Sequence, residues 1–285
     1  MKLSVILGGR DDDYGKDFIP RLGQAIKTNL EFLDDSGIDY EMVVVDYNPI
    51  SHDKYLHRNE SLQDILSHQR VRNIIIDRSV IVHQKLVPEN YHEYYAKNCG
   101  IRRANGQFFF VTNSDIILSP ELINDINSLR FPDADQHFYR VRYRRSIDLG
   151  STIDKWYVCS NSYEDLNIPN LADSCIAGYC AGDATLFSRN VMSIASGYDE
   201  TEIHHRGIKR QSAMDAEILW NLHHQGITLK FLESPYYHIE HERPSDRDGV
   251  YNNRLYKNEP YWGFSNYPET RINENTIMVH ANESV

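Results

Sequence analysis

The chain contains 285 residues, of which 41% are hydrophobic and 25% are charged, and no apolar run is long enough to span a bilayer. Its net charge of −11 argues against nucleic acid or anionic lipid as a partner. The 4 cysteines show neither a CxxC pair nor a zinc-ligand spacing, so we expect reduced thiols in a cytoplasmic protein without an integral membrane segment.

The first segments of the chain alternate between apolar runs and a helical pattern. Residues 2–8 form a short apolar run that ends in a glycine pair, which predicts a first strand and a tight loop. Apolar residues recur at helical spacing over residues 17–36, and Gly37 supplies the stop. Residues 41–46 predict a second buried strand that ends in Asp46. This order is that of a β-α-β crossover unit.

A central strand follows after a less regular region. A short helix over residues 61–67, a third strand within 73–82 and a helix over 91–105 precede it. Residues 108–111 form an uninterrupted apolar run, which predicts a buried strand, and Asp115 follows after a polar cluster. Ligands of open α/β sheets bind beyond the carboxyl ends of the strands, so Asp115 is a candidate site residue. A simple turn-capping role is the alternative.

The second half of the chain has a weaker pattern. Residues 137–145 alternate as a half-exposed strand would, and residues 213–224 form an amphipathic helix. A strand within 229–235 and the histidine-containing residues 237–244 close the patterned region. From residue 245 onward the chain is polar and irregular, which predicts a tail that is partly disordered or folds over a bound ligand.

Carboxylates and imidazoles from three separated segments could converge. They are Asp115, the pair Asp215 and Glu217, and the pair His238 and His241. A carboxylate with an imidazole suits Mg²⁺ or Mn²⁺, which would offset the charge of a diphosphate bound to an acidic protein. Because residues three apart lie on opposite faces of a strand, we expect one of the histidines at most to be a ligand, unless the chain turns there. Each group alone is also compatible with a structural role. For example, Asp215 and Glu217 are favoured in the first turn of a helix by the helix dipole alone.

The order of several segments resembles that of a known enzyme family. The segments are KLSVILGGR, EMVVVDYNP, EYYAKNCGIRRANGQFFFVTNSDIILSPEL, AGDATLFSR, SGYDE, MDAEILWNLHHQG and YHIEH. They are similar to those of nucleotide-sugar glycosyltransferases of the GT-A fold, especially the inverting family 2 type. The resemblance implies an α/β, Rossmann-like GT-A domain over residues 1–243, with a mixed, mainly parallel sheet flanked by helices. Its nucleotide-binding half would cover about residues 1–118 and its acceptor-binding half about 119–243, before a C-terminal tail or lid over 244–285.

The resemblance also implies roles for individual positions. Asp115 matches the last acid of the Asp-X-Asp motif that holds the divalent cation, and His238 or, as second choice, His241 would complete the metal shell. Asp215 matches the general base that takes the proton of the acceptor hydroxyl. The positions that match the nucleotide-binding wall are Gly8, Arg10, Asp46, Lys97, Asn98 and Asn113.

Two positions depart from the family pattern, and the acceptor side is less defined. Asn113 stands where the first acid of Asp-X-Asp often is, and Met214 stands where a Glu usually precedes the base. The segment that usually lines the acceptor pocket contains Gly182 and Asp183, so Asp183 is a second candidate for the base. The other residues expected near the acceptor are Glu217 and, in a tail that could act as a lid, Trp262.

The resulting hypothesis is a metal-dependent, inverting glycosyltransferase of the hexosyltransferase type. It would move a sugar from a nucleotide-diphosphate sugar, with a UDP-sugar favoured, to a hydroxyl of a glycan or other acceptor in polysaccharide biosynthesis, with Mn²⁺ or Mg²⁺ as cofactor. A non-catalytic domain that binds carbohydrate or nucleotide sugar is one alternative, and a sugar nucleotidyltransferase is another. The nucleotidyltransferase would normally carry a glycine-rich, basic loop after strand one, and GGRDDDYGK is acidic.

Overall fold

The structure, a computed structural model, describes residues 2–12, 15–130, 133–151, 184–201, 214–242 and 255–282. The described strands are β1 (Lys2–Gly9), β2 (Asp39–Tyr47), β3 (Val71–Ile76), β4 (Phe108–Thr112), β5 (Ile116–Leu118), β6 (His137–Val141), β7 (Arg144–Ile147), β8 (Ala184–Ser188), β9 (Thr228–Leu232), β10 (Tyr236–Ile239), β11 (Glu269–Arg271) and β12 (Thr276–Val279). The described α-helices are α1 (Phe18–Ser36), α2 (Gln63–Leu66), α3 (Arg78–His83), α4 (Glu93–Arg103), α5 (Pro120–Ser128), α6 (Arg189–Ala195) and α7 (Met214–His224). Short 3₁₀ helices lie at His52–Lys54, Leu56–Arg58 and Asp133–Gln136. Among these residues, no helix is both long and apolar enough to cross a membrane.

The chain begins with the expected β-α-β unit. α1 ends at Gly37, whose φ of 68° lies in the left-handed region that favours glycine. β1 and β2 are parallel, with Leu3 opposite Tyr40 and Gly9 opposite Asp46. The apolar residues that α1 buries follow its helical period and include Phe18, Leu22, Ile26, Leu30 and Leu33.

The central sheet has nine strands in the order β11-β12-β3-β2-β1-β4-β8-β6-β9. β1 is parallel to both β2 and β4, whereas β8 is antiparallel to β4 and β6. Alternate residues of β1 face opposite layers: Leu3 and Val5 join the core that contains α1, and Ile6 joins the core that contains α4. The mixed, mainly parallel sheet flanked by helices is therefore confirmed.

A second sheet of three strands, β5-β10-β7, lies beside the first. Residues 137–145, which the alternating pattern predicts as one strand, divide here into β6 in the large sheet and the start of β7 in the small one. β10 is antiparallel to β5, with His238 opposite Ile116. This pairing places the late histidine segment next to the end of β4.

The described residues of the C-terminal segment, 255–282, belong to the core of the domain. β12 extends the large sheet in parallel with β3, and β11 pairs with β12. Trp262 and Phe264 are buried in the same hydrophobic cluster as α4. The domain boundary at residue 243 stays a prediction, but these residues add strands and apolar packing to the domain instead of forming a loose tail over it.

Candidate functional site

Asp115 lies in the turn that joins β4 to β5, at the carboxyl end of a strand in the middle of the large sheet. The strand is buried throughout, and the polar residues after it favour a turn. β10 pairs with β5, and the backbone N–H of Ile239 donates to the carbonyl of Asp115 at 2.9 Å. The histidine segment is therefore fixed against the Asp115 turn.

The side chains of Asp115, His238 and His241 form a cluster whose potential ligand atoms all lie within 4.8 Å of one another. His241 Nε2 is 3.0 Å and His238 Nε2 is 3.8 Å from Asp115 Oδ2. The alternation argument, which expected one histidine at most, applies only within a strand, and β10 ends at Ile239. Both imidazoles reach the carboxylate because the chain leaves the strand after that residue.

The other ring nitrogens of the two histidines have different partners. His241 Nδ1 lies 2.8 Å from the carbonyl oxygen of Glu242, which only accepts, so in the neutral ring Nδ1 carries the proton and Nε2 a lone pair. His238 Nδ1 lies 2.8 Å from the guanidinium of Arg144, which only donates, so Nδ1 accepts and Nε2 carries the proton. The neutral ring of His241 thus has the tautomer of a metal ligand, whereas the protonated Nε2 of His238 lies 3.8 Å from Asp115 Oδ2, beyond hydrogen-bond distance.

The spacing of these atoms fits a divalent cation. Without a cation, a proton on His241 Nε2 accounts for the contact with the carboxylate oxygen 3.0 Å away, and a divalent cation could take the place of that proton. Neighbouring ligands of an octahedral cation, each about 2.1 Å from it, lie about 3 Å apart. The second oxygen of Asp115, Oδ1, is buried and accepts no hydrogen bond from any residue in the described ranges. Asp115 and His241 could therefore hold Mg²⁺ or Mn²⁺, with His238 beside them.

Arg21 of α1 also faces Asp115, and no motif in the sequence marks it as a site residue. Its buried guanidinium lies 3.4 Å from Asp115 Oδ2. Burial raises the pKa of Asp115, but the hydrogen bond from His241 and the positive charges of His238, His241 and Arg21 outweigh it and hold the pKa below its usual range. The carboxylate is therefore ionised at neutral pH, as a metal ligand must be.

A second group of polar atoms lies at the carboxyl end of β2. The atoms are buried oxygens without a hydrogen-bond partner among the described residues, namely Asp46 Oδ1, Tyr47 Oη, Asn48 Oδ1 and Tyr91 Oη. Buried oxygens of this kind are costly unless a ligand or water satisfies them. Gly8 lies against one of them, since a Cβ at this position would be 2.8 Å from the Tyr91 hydroxyl. This end of the sheet thus offers several buried oxygens to a polar ligand.

Asp46 is the acid that the resemblance assigns to the nucleotide, and it is fully buried. Its Oδ2 accepts a hydrogen bond from the backbone N–H of Leu56 at 2.8 Å. Burial raises the pKa of Asp46 to about 8, the Leu56 N–H opposes this, and the negative charge of Asp11 adds to it. A ligand that donates a hydrogen bond to Oδ1 would stabilise the ionised form.

Arg10 and Asn98, two of the residues expected at the nucleotide, make hydrogen bonds that hold the fold. The Arg10 guanidinium pairs with Asp12 at 2.7 Å and donates to the carbonyl oxygens of residues 88–90. The Asn98 amide donates to the carbonyl of Tyr198 at 2.9 Å and accepts from its N–H at 2.8 Å. Both side chains therefore position loops around the site, and direct contact with a nucleotide stays a prediction for them.

Lys97 and Asn113 are brought together across the site. Lys97 Nζ is buried and donates to Asn113 Oδ1 at 2.9 Å, in the turn that also carries Asp115. It forms an ion pair with Glu93, one helical turn earlier, at 2.5 Å. Asn113, which stands where the first acid of the motif often is, thus accepts a hydrogen bond from Lys97. Because the Asn113 amide is neutral, it needs no positive charge to balance it.

The acceptor side is described in part. Asp215 and Glu217 lie in the first turn of α7, and the Tyr94 hydroxyl donates to Asp215 Oδ1 at 3.3 Å. Trp262 packs in the core, and the Arg102 guanidinium lies 4.7 Å above the centre of its ring. These contacts hold the side chain in place. The remaining candidates, Gly182 and Asp183, lie outside the described residues.

Comparison with known proteins gives similarity in structure only. No family model and no curated protein sequence matches the chain. The chain superposes on residues 1–349 of TarS from S. aureus in complex with UDP-GlcNAc with a TM-score of 0.55 and 14% identity, covering 88% of this chain and 62% of that one. It superposes on the mannosyltransferase PcManGT from Pyrobaculum calidifontis in complex with GDP-Man and Mn²⁺ with a TM-score of 0.51 and 14% identity, covering 86% and 58%. The chain therefore spans about three fifths of the length of these proteins.

Proposed function

We propose, from the GT-A fold that this chain shares with solved nucleotide-sugar glycosyltransferases, that it is itself a metal-dependent glycosyltransferase. It takes a sugar from a nucleoside-diphosphate sugar and attaches it to a hydroxyl of a glycan or similar acceptor, in polysaccharide biosynthesis. The observation that carries the proposal is the buried cluster of Asp115, His238 and His241 at the carboxyl end of the central strand β4. Fold alone does not imply function, whereas this cluster supplies the ligand set that a diphosphate-bound cation needs.

Asp115 and His241 would hold the cation, and His238 Nε2 lies beside them, 3.8 Å from the carboxylate of Asp115. When bound, Mg²⁺ or Mn²⁺ supplies Lewis-acid stabilisation of the charge that develops on the departing diphosphate. The unsatisfied oxygens of Asp46, Tyr47 and Tyr91 support a neighbouring pocket for the base and ribose. We favour a UDP-sugar as donor, the class of ligand in the TarS complex that shares this fold.

Asp215 acts as general base on the acceptor side. Its carboxylate takes the proton of the acceptor hydroxyl while the hydroxyl oxygen forms a bond to the anomeric carbon. The bond from that carbon to the phosphate oxygen breaks, and the nucleoside diphosphate leaves with its electron pair. Attack from the face opposite the leaving group inverts the anomeric centre. General-base assistance of this kind typically contributes about 10²–10⁴ in rate.

The free, buried thiol of Cys99 is consistent with the cytoplasmic location predicted from the cysteine pattern.

The test is a binding and turnover screen with UDP-GlcNAc, GDP-Man and a dTDP-sugar, each with Mn²⁺ and with EDTA. We expect one of them to raise the melting temperature and to be hydrolysed or transferred only when Mn²⁺ is present. Asp115→Asn should abolish both effects, and the exposed Asp64→Asn on α2 should retain them. Metal-independent sugar binding without turnover would indicate the non-catalytic binding domain, and formation of a sugar nucleotide from sugar phosphate would indicate the nucleotidyltransferase.

A further inference from the structure

The first turn of α4 lies between the two parts of the proposed machinery. Glu93 and Lys97 are one helical turn apart and form an ion pair at 2.5 Å. Lys97 reaches the Asn113 side chain of the β4–β5 turn at 2.9 Å. The ammonium lies 5.5 Å from the ring centre of Tyr94, so three groups share a cation that is only 1% exposed. A buried ammonium needs such partners, and this one ties α4 to the turn that carries Asp115.

Tyr94 continues this network to the other side of the site. Its ring is buried against Tyr198, with 5.2 Å between the ring centres, and its hydroxyl donates to Asp215 Oδ1 at 3.3 Å. Burial, followed by the negative charge of Asp215, raises the pKa of Tyr94 well above its usual value. The phenol therefore keeps its proton at neutral pH and remains a donor to the carboxylate. The other titratable and charged groups that face this contact from the described elements are Glu93, Lys97, Arg140 and Tyr198.

We propose that Tyr94 is a positioning residue for Asp215, and that Lys97 couples the same helical turn to the metal-binding loop through Asn113. The inference rests on the proposed function, because it assumes that Asp215 is the base. Tyr94 fixes one carboxylate oxygen and stabilises the ionised form, so that the carboxylate is ready to accept a proton. Lys97 contacts both Tyr94 and the turn that carries Asp115. It thereby fixes the position of α4 relative to that turn, so that the distance between the base and the cation stays constant.

The experiment compares Tyr94→Phe with Tyr95→Phe. Both substitutions remove one hydroxyl from a buried tyrosine of α4, but the Tyr95 hydroxyl donates to the backbone carbonyl of Glu200 at 2.8 Å, away from Asp215. Both variants are melted with and without Mn²⁺ and the nucleotide sugar that responds best in the screen. Their kcat and KM for that donor are then measured from pH 5 to pH 9, with hydrolysis of the donor as the readout if no acceptor is known.

We expect Tyr94→Phe to lower kcat by about tenfold or more, because a hydrogen bond to an ionised group is lost. The acid limb of the kcat/KM profile should move to higher pH, since the ionised base has lost a donor, while donor KM and the metal-dependent melting shift stay unchanged. Tyr95→Phe should keep the wild-type kcat and pH profile. If the wild type is active and both variants have its kcat and its acid limb, the role of Tyr94 is overturned but the proposed function is not. A wild type with neither turnover nor metal-dependent binding would overturn the proposed function as well.

Discussion

At the scale of single residues, one carboxylate oxygen organises the metal site. Asp115 Oδ2 faces His241, Arg21 and His238 at 3.0, 3.4 and 3.8 Å. Three groups that can carry positive charge keep the buried acid ionised without a metal. A divalent cation would share this oxygen with Arg21 at close range, so charge repulsion from the guanidinium opposes its binding. We therefore expect the nucleotide diphosphate, which adds negative charge, to strengthen metal binding.

The two histidines should differ in their effect on the metal. His241→Ala removes the imidazole whose lone pair already faces Asp115, and we expect Mn²⁺ affinity to fall by about 100-fold. His238→Ala removes an imidazole 3.8 Å from Asp115 that Arg144 holds in the other tautomer, and the expected loss is about tenfold. Titration of Mn²⁺ by electron paramagnetic resonance measures both. A larger loss for His238→Ala would mean that the ring proton of His238 sits on Nδ1, facing Glu240 3.4 Å away, and that His238 is the principal imidazole ligand.

At the scale of elements, Glu41 joins the beginning of β2 to its neighbours. Its buried carboxylate accepts hydrogen bonds from the Ser4 hydroxyl of β1 at 2.7 Å and from the backbone N–H of Asn105, and it pairs with Arg72 of β3 at 3.5 Å. Burial raises the pKa of Glu41, but these hydrogen bonds and the Arg72 charge outweigh it, and the net pKa is lowered. One side chain thus links three parallel strands and the loop before β4.

Glu41→Gln should destabilise the protein in a pH-dependent way. Because the folded-state pKa lies below the unfolded value of about 4.5, the stabilisation is present above that pH and is lost as the pH falls toward the folded pKa. We expect Glu41→Gln to cost about 1–3 kcal/mol at pH 7 and less at pH 4. Urea unfolding at the two pH values measures this, with the exposed Glu31→Gln of α1 as control. An equal cost at both pH values would contradict the assigned ionisation.

The elements that could be predicted from sequence are those in which the pattern and the packing agree. The apolar runs gave β1, β2 and β4 because parallel strands in the middle of a sheet are buried on both faces. The helical period of α1 was equally clear. β12 was missed because its four residues lie in a polar segment and depend on β3, which is distant in sequence. The strand predicted over 137–145 is divided because its two ends belong to different sheets, which local alternation cannot show.

The candidate site could be predicted where it depends on strand ends. Asp115 follows the buried strand β4 and Asp46 lies near the end of β2, so both are at the carboxyl edge of the large sheet. That both His238 and His241 reach Asp115 depends on the end of β10, which a period of two residues does not reveal. Arg21 carries no local signal, since its role arises from the packing of α1 against the β5 region.

At the scale of the whole molecule, the C-terminal segment 255–282 is held by Arg103 at the end of α4. The guanidinium donates to the carbonyl oxygens of Gly263 at 2.8 Å and Phe264 at 3.0 Å, and it pairs with Glu269 at 2.7 Å. Arg103→Met should leave these buried carbonyls unsatisfied and cost about 2–4 kcal/mol. We expect faster amide hydrogen exchange across the segment, measured by mass spectrometry.

The matched control for this substitution is Arg130→Met. Arg130 is exposed, and among the described residues its guanidinium donates to the carbonyl oxygens of Asn127 and Leu129 at the end of α5. Its exchange pattern should equal that of the wild type.

A lid would behave differently from a fixed segment, since nucleotide with Mn²⁺ would protect the region around Trp262 from exchange in the wild type. We expect no such protection, and its appearance would support the lid hypothesis.

Glu200 links the same segment to the rest of the domain. Its carboxylate accepts from the Asn98 side chain and from the backbone N–H of Gly263, both at 2.8 Å. Burial raises the pKa of Glu200 to about 7, although these two hydrogen bonds lower it. Because the folded-state pKa is raised, the associated stability is present below the ordinary value of 4.5 and is lost as the pH rises toward 7.

Replacing this acid with a neutral amide should remove that pH dependence. Glu200→Gln is expected to match the wild type near pH 5 and to exceed its stability at pH 8 by about 1–3 kcal/mol. Melting temperatures at the two pH values measure the difference, with the exposed Glu259→Gln from the same segment as control. A stability difference that does not change with pH would show that Glu200 is ionised in the folded protein throughout this range.

The position of β12 has a consequence for how the protein is made. Val71–Ile76 lies at the sheet edge until Thr276–Val279 pairs with it, and the Asn275 side chain donates to the carbonyl of Ser67 from 208 residues further along the chain. On a ribosome, the edge of β3 that β12 covers stays open until β12 has been synthesised. Contacts between such distant residues close slowly, and unpaired edges favour association with other chains. The strand that covers this edge thus reaches its neighbour late, and the newly made chain exposes an unpaired strand for longer than a sheet built from consecutive strands would.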